Sequence, residues 1–352
     1  MMEKFKKLTS KRLFMPVFCL IIMLIAAVIA SPDFFKIDIQ NGVLYGRIID
    51  VINRGSEVVI LAIGMTLVVA ASAGTDISVG AVMAVVAAVT CSFIAGGQQS
   101  VNEYINNPLL GILLGILVGV LCGCFNGFLV AKLHIQPMVA TLILFTAGRG
   151  IAQLLTNGQI TYIRVDSFKM LGASIPGIPI PTSIFVTVIM VAVTMLLLKK
   201  TALGMYVEAV GINSRASRLV GLKSAKIIFL VYAFCGFCAS IAGLINSSRI
   251  YSADANNIGL NLELDAILAV ALGGNSLGGG KFSLIGSVIG AYTIQTLTTT
   301  LYAVSVSSDQ IPVYKAIVVV IIVSLQSPEL RKMFRRLKGK GAAQAASGKG
   351  AA

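Results

Sequence analysis

Long apolar runs alternate with short polar connections along the whole chain, and most of the runs are about 17 to 23 residues long. That length matches the roughly 20 residues a helix needs to cross the hydrocarbon core of a bilayer. Strands of a membrane barrel would alternate apolar and polar residues with period two, and these runs do not. The pattern predicts ten spans, over residues 14–30, 52–73, 78–95, 109–131, 137–156, 183–198, 227–246, 264–274, 282–302 and 311–326. The expected fold class is all-α, a polytopic bundle of transmembrane helices. Two places are candidates for broken or re-entrant helices. One is the connection Gly74-Thr75-Asp76-Ile77-Ser78; the other is the short eighth span, which runs into Gly273-Gly274-Asn275-Ser276-Leu277-Gly278-Gly279-Gly280. A membrane tolerates such breaks where protein or water surrounds the backbone.

Composition places the chain outside the range of soluble domains, with 57% hydrophobic residues, 12% charged residues and a mean hydropathy of +0.91. The net charge of +14 could point to nucleic acid, but the basic residues flank apolar runs instead of clustering on a soluble face. They set orientation. With the N-terminus inside, the inner segments carry 20 Lys and Arg residues and the outer segments six. The outer segments instead hold Asp33, Asp38, Asp50, Glu103, Asp166, Asp254 and Asp309. Positive charge inside predicts that both termini are cytoplasmic, which an even number of spans requires. Residues 1–20 have the basic start of a signal sequence, but no small-x-small cleavage site follows before Ser31, so they read as a retained first span. Residues 1–330 form one transmembrane domain, and 331–352 a basic cytoplasmic tail expected to be disordered.

The inventory argues against catalysis. His134 is the only histidine, so metal sites and acid–base pairs built on histidine lack a second member, and it reads as a solvated loop residue. All six cysteines lie in apolar segments, and Cys235-Gly236-Phe237-Cys238, in the middle of one, reads as packing. Gly278-Gly279-Gly280-Lys281 resembles part of a phosphate loop, yet Asn275 stands where its first glycine belongs and Phe282 where Ser or Thr would bind magnesium. No metal site and no cofactor bound by this chain are expected.

Polar groups at membrane depth are costly and face a cavity or a partner. They are Glu57, Asp76, Asn126, Arg149, Gln153, Glu263, Asp265, Gln295 and Lys315. Asp76 with Ser78 can cap the third span. Arg149 can reach the outer surface or pair with an acid such as Glu57. Structural roles and a substrate path both stay open for this set, with Asn126, Arg149, Gln153, Glu263, Asp265 and Gln295 as path candidates. In the fourth span Gly111, Gly115, Gly119, Gly123 and Gly127 recur every four residues, a bare face that lets another helix approach, within the chain or across a dimer.

The polar loop 199–226 carries its own helix signal. Asn213 can cap a helix starting at Ser214, Gly221 can end it, and Ala216, Leu219 and Val220 share one face with Arg215 and Arg218 beside it. A lone helix of about two turns is marginal in water. It needs a surface to pack on, either anionic lipid headgroups or a cytoplasmic protein.

Several strings occur in order between about residues 45 and 328. They are Leu61-Ala62-Ile63-Gly64-Met65-Thr66, Gly74-Thr75-Asp76-Ile77-Ser78-Val79-Gly80, the stretch 137–144 and Ala147-Gly148-Arg149-Gly150, then Glu208-Ala209-Val210-Gly211-Ile212-Asn213, Ala253-Asp254-Ala255-Asn256-Asn257 and the stretch 262–270. Together they resemble the permeases of bacterial ABC sugar importers of the ribose class, most of all the galactofuranose-type permeases. The resemblance implies a multi-pass protein of the bacterial inner membrane working with a cytoplasmic ATPase, an external sugar-binding protein and a second permease chain, identical or paralogous. ATP and Mg would be used by the ATPase. The loop matching residues 208–221 would contact that ATPase, so Glu208, Gly211, Asn213, Arg215, Arg218, Leu219, Val220 and Gly221 form the expected coupling set. Galactofuranose is the first expectation for the sugar, with another pentose or hexose next. Thr75 departs from the bulky aliphatic residue that such permeases commonly carry. An ion-coupled secondary transporter is the alternative, with Asp76, Glu57 or Asp265 as its ion site.

Overall fold

The computed structural model describes residues 13–40, 43–175 and 177–326; the first twelve residues and the basic tail 331–352 lie outside them. Each predicted run forms a helix, with ends shifted by at most five residues. In chain order these are α1 (Phe14–Ala30), α2 (Arg47–Ser72), α3 (Val79–Ile94), α4 (Pro108–Ala131) and α5 (Pro137–Leu155). A single turn, α6 (Asp166–Lys169), precedes α7 (Thr182–Lys200), and the loop after it folds into α8 (Leu203–Ile212) and α9 (Ser214–Leu219). The rest are α10 (Ser224–Arg249), α11 (Leu262–Leu272), α12 (Leu284–Ala303) and α13 (Ile311–Gln326). Among the described residues α2, α4, α5, α7 and α10 are long and apolar enough to cross a membrane.

Local chemistry sets the starts of these helices. Proline occupies the first turn of α4 and α5, where its missing N–H costs nothing, and Asn107 Oδ1 accepts the Leu109 amide at 2.9 Å. The Ser283 hydroxyl caps α12 by accepting from Gly286 N at 3.1 Å.

The centre of the bundle is α2, buried without interruption from Gly55 to Ala71 and surrounded by α10, α12, α11, α7 and α8. Its neighbour α4 has two unlike faces. Leu113, Leu117, Leu121 and Phe125 point outward, while the glycine stripe packs within the chain against α3 and α10. A Cβ on Gly119 would collide with the Ser240 hydroxyl, and one on Gly123 with the Tyr232 carbonyl. Interhelical approach this close is how small residues replace hydrophobic drive inside a bilayer.

The short eighth span is broken. α11 has 11 residues, which at about 1.5 Å each is roughly half of the hydrocarbon core. The glycine-rich segment after it turns back into α12 and is held by Asn275, whose Nδ2 donates to Val270 O at 3.1 Å and to Ser287 Oγ at 2.8 Å. Asn275 Oδ1 also accepts from Ser283 N at 2.6 Å.

The bundle is helical as expected, and among the described residues five short strands lie in the connections at one end of it: β1 (Asp38–Gln40), β2 (Val43–Tyr45), β3 (Ser100–Val101), β4 (Thr161–Ile163) and β5 (Ser252–Ala253). β1 and β2 pair antiparallel; β4 lies between β3, parallel to it, and β5, antiparallel. Strands of two or three residues are too short to show a period, so only the pairing of distant connections reveals them. The strands mark one end of α2 and α10, and α8 and α9 mark the other.

Candidate functional site

At the α8–α9 end, the loop folds as its residues dictate. Asn213 Oδ1 accepts from Arg215 N at 3.1 Å and Ala216 N at 3.0 Å, which caps α9. At its far end Gly221 takes a left-handed φ of +88°, Leu222 N donates to Ser217 O, and Gly221 N donates to Arg218 O, both at 3.0 Å. That pair of bonds is a Schellman closure. Ser217 faces inward, and the Ser224 hydroxyl donates to Ser214 O at 3.1 Å, tying α9 to α10. The other side is open: Leu219 is 90% exposed and Val220 78%, with Arg215 and Arg218 exposed beside them.

α8 seats this helix on the bundle through buried Val207 and Val210, with Glu208 half-buried. Gly211 lies against the backbone of Ala70 in the last turn of α2 and against Gly280. The Gly280 amide donates to Ala70 O at 3.0 Å, so α9, α8, the end of α2 and the α11–α12 turn are in continuous contact.

At the strand-bearing end a cavity of about 810 Å³ opens between α2, α10, α11, α12 and α13. Its charges are Asp50, Arg54 and Glu57 on α2, Arg249 on α10, Asp265 on α11 and Lys315 on α13. Two pairs close internally: Arg249 to Glu57 Oε1 and Lys315 to Asp265 Oδ2, each at 2.7 Å. Asn246 Nδ2 donates to Glu57 Oε2 at 2.7 Å, and the Arg249 guanidinium also donates to Asn53 O at 3.1 Å and Gly172 O at 3.3 Å. Gln295, Thr298, Thr299 and Tyr302 line the α12 wall.

The path candidates divide in space. Asp265 and Gln295 reach the cavity. Asn126 does not; it is fully buried and donates to Ser78 Oγ at 2.8 Å and Asp76 Oδ2 at 3.4 Å. Arg149 neither pairs with Glu57 nor lines the cavity; it donates to Ile258 O at 2.6 Å and Ala255 O at 3.0 Å. Gln153 donates to Asn256 Oδ1 at 2.6 Å, and Glu263 is buried against Gly80. Asp76 Oδ1 accepts the amide and the hydroxyl of Ser78, at 2.9 and 2.7 Å, while the Ser78 side chain caps no amide of α3. Cys235 and Cys238 pack against Gly64. The His134 Nδ1–H donates to Lys132 O at 2.9 Å in an exposed loop.

Sequence reasoning passed over Arg54, Asn246, Thr298, Thr299 and Tyr302. The signal was available for part of the set, since residues 295, 298, 299 and 302 recur at helical spacing inside an apolar run.

Comparison with known proteins gives concordant results. The profile of the family described as branched-chain amino acid transport system / permease component matches residues 47–325. The chain is 42% identical to the galactofuranose transporter permease of Escherichia coli, with 91% of each chain covered. It is 38% identical to the fructose import permease of Bifidobacterium longum over 97% of this chain and 94% of that one. The ribose import permease of Haemophilus influenzae is 37% identical, over 87% and 90%. Among solved structures, a metal-chelate type ABC transporter in an inward-facing conformation shares the fold, with a TM-score of 0.50, 16% identity and coverage of 89% of this chain and 97% of that chain.

Proposed function

Since the chain belongs to the branched-chain amino acid transport system / permease component family, we propose that it is the membrane-spanning permease of an ATP-driven importer of a monosaccharide. It is a transport component and not an enzyme. The sugar follows from the relatives, which are permeases for galactofuranose, fructose and ribose. In this reading an external binding protein delivers it, a second permease chain completes the pathway, and a cytoplasmic ATPase uses ATP and Mg. The protein sits in the bacterial inner membrane with ten spans, the strand-bearing end outside and both termini in the cytoplasm. The charge distribution supports that orientation, because residues 199–226, which include α8 and α9, carry six Lys and Arg residues. Residues 1–330 act as one permease domain, with 331–352 as a cytoplasmic tail.

The observation that carries the coupling role is α9 itself. A capped helix of six residues presents Leu219 and Val220 to solvent and is seated through Gly211 on the end of the central helix. Exposed apolar residues on a rigidly held short helix fit a socket in a partner protein. Glu208, Gly211, Asn213, Arg215, Arg218, Leu219, Val220 and Gly221 then form the ATPase-facing unit, and closure of the ATPases would displace it as a body. Asp265 and Gln295 belong to the path, and Asn126, Arg149, Gln153 and Glu263 support the helices that frame it. Against the ion-coupled alternative, its three candidate acids are engaged among the described residues: Glu57 and Asp265 each hold a cation of the chain itself, and Asp76 accepts hydrogen bonds from Ser78 and Asn126.

Leu219→Asp tests the reading without touching the core. The expected result is loss of copurification with the ATPase and of ATP-dependent uptake, with helicity and thermal stability kept. Uptake by the isolated chain driven by an ion gradient alone would overturn the function.

A further inference from the structure

We infer that the cavity between α2, α10, α11, α12 and α13 is where the sugar is held on its way across, and that it is built for neutral polyols; this rests on the importer reading above. Its volume of about 810 Å³ lies within the roughly 300–1,000 Å³ of small-molecule sites. The lining charges balance, three acidic against three basic, and four of the six are spent on the pairs Glu57–Arg249 and Asp265–Lys315. A charged solute would lose hydration beside these pairs without gaining an unpaired countercharge from them, and the remaining two charges, Asp50 and Arg54, lie exposed in the first two turns of α2. A neutral solute meets no such cost.

The α12 wall supplies the recognition chemistry. Gln295, Thr298, Thr299 and Tyr302 follow one another at i, i+3, i+4 and i+7, so they form a single polar stripe on a helix whose other faces are packed. Gln295 is buried, and its hydrogen bond among the described residues is a long one, Nε2 to Thr299 Oγ1 at 3.4 Å. Its amide therefore keeps acceptor and donor capacity facing the cavity. The Thr298 hydroxyl donates to Ile294 O at 2.9 Å and retains its acceptor side. Amides and hydroxyls that both give and take hydrogen bonds are the complement of sugar hydroxyls, which do the same. The stripe runs from Gln295, about 12 Å below the end of α12, up to Tyr302 near that end; it borders the cavity, whereas Thr293, Thr296 and Thr300 lie on packed faces and donate to carbonyls one turn back.

The test uses the complete importer in proteoliposomes, with galactofuranose, fructose and ribose as probes. Gln295→Leu and Thr299→Val should each raise KM for the transported sugar about three- to tenfold. Thr298→Cys adds an arm independent of folding, because the substitution is small and modification comes after assembly. A membrane-impermeant, negatively charged methanethiosulfonate applied from outside should cut its uptake by about tenfold or more, and saturating sugar should protect it. The native cysteines line no part of this cavity, so the wild type should resist the reagent. Uptake within twofold of the wild type in both variants and in modified Thr298→Cys would overturn the cavity assignment and leave the importer reading intact. Inactivation without protection by sugar would assign the stripe to contact with a second copy and overturn it as well. Absence of ATP-driven uptake of all three sugars by the wild type would overturn the importer reading and this inference with it.

Discussion

Gly211 of α8 lies so close to the carbonyl oxygen of Ala70 that a Cβ on it would overlap that oxygen, and the same oxygen accepts the Gly280 amide. The contact joins the loop that carries α8 and α9 to the central helix of the bundle. Gly211→Ala must push α8 away from α2, because both neighbours are backbone and cannot swing aside. Overpacking of this kind costs about 1–3 kcal/mol. The expected outcome is a lower melting temperature in detergent and a larger fall in uptake than in ATP hydrolysis, measured side by side in proteoliposomes.

Asn213 supplies the cap of α9, and its side chain is exposed, so a substitution there acts on the helix alone. Asn213→Ala should destabilise α9 by about 0.5–2 kcal/mol, and Asn213→Gly by only a few tenths. Hydrogen exchange at the amides of residues 215–219 reads this directly. Faster exchange in the alanine variant than in the glycine variant is the expected order.

The Glu57–Arg249 pair is largely out of solvent, with side-chain exposures of 6% and 20%. Arg249→Met leaves the Glu57 carboxylate with Asn246 as its hydrogen-bond donor and only the exposed Arg54 as a nearby cation, and frees the Asn53 and Gly172 carbonyls. Breaking such a pair costs about 3–5 kcal/mol. Adding Glu57→Leu should recover most of that loss, because no charge is then stranded. Denaturant titration of the two variants and the wild type checks the sign: a double variant less stable than Arg249→Met would contradict it.

The two faces of α4 predict opposite tolerance. Gly119→Leu drives a side chain into Ser240 and the Gly236 carbonyl and should prevent normal assembly of α4 on α10. Leu117→Ala, on the outward face, should change stability by about 0.5 kcal/mol or less. Thermal unfolding of the two purified variants gives the comparison.

What the sequence discloses and what it hides follow from range. Helix spans, the cap at Asn213 and the stop at Gly221 rest on interactions within a few residues, and the chain order displays them. The glycine stripe was visible as a packing face, but its partner was not, since Ser240 and Tyr232 lie more than a hundred residues away. The same limit hid the cavity. Nothing local distinguishes Glu57, which meets Arg249, from Arg149, which turns instead to the carbonyls of Ala255 and Ile258. The strands escaped for a different reason: each is too short to carry a period.

The continuous burial of α2 has a mechanical consequence. Enclosed from Gly55 to Ala71, the helix cannot tilt or slide without displacing α7, α8, α10, α11 and α12 together, so in a rearrangement between outward and inward states it would serve as an axle around which the outer helices move. Force arriving at Gly211 would then be felt as torque at the Glu57–Arg249 end, without any bending of the shaft between them.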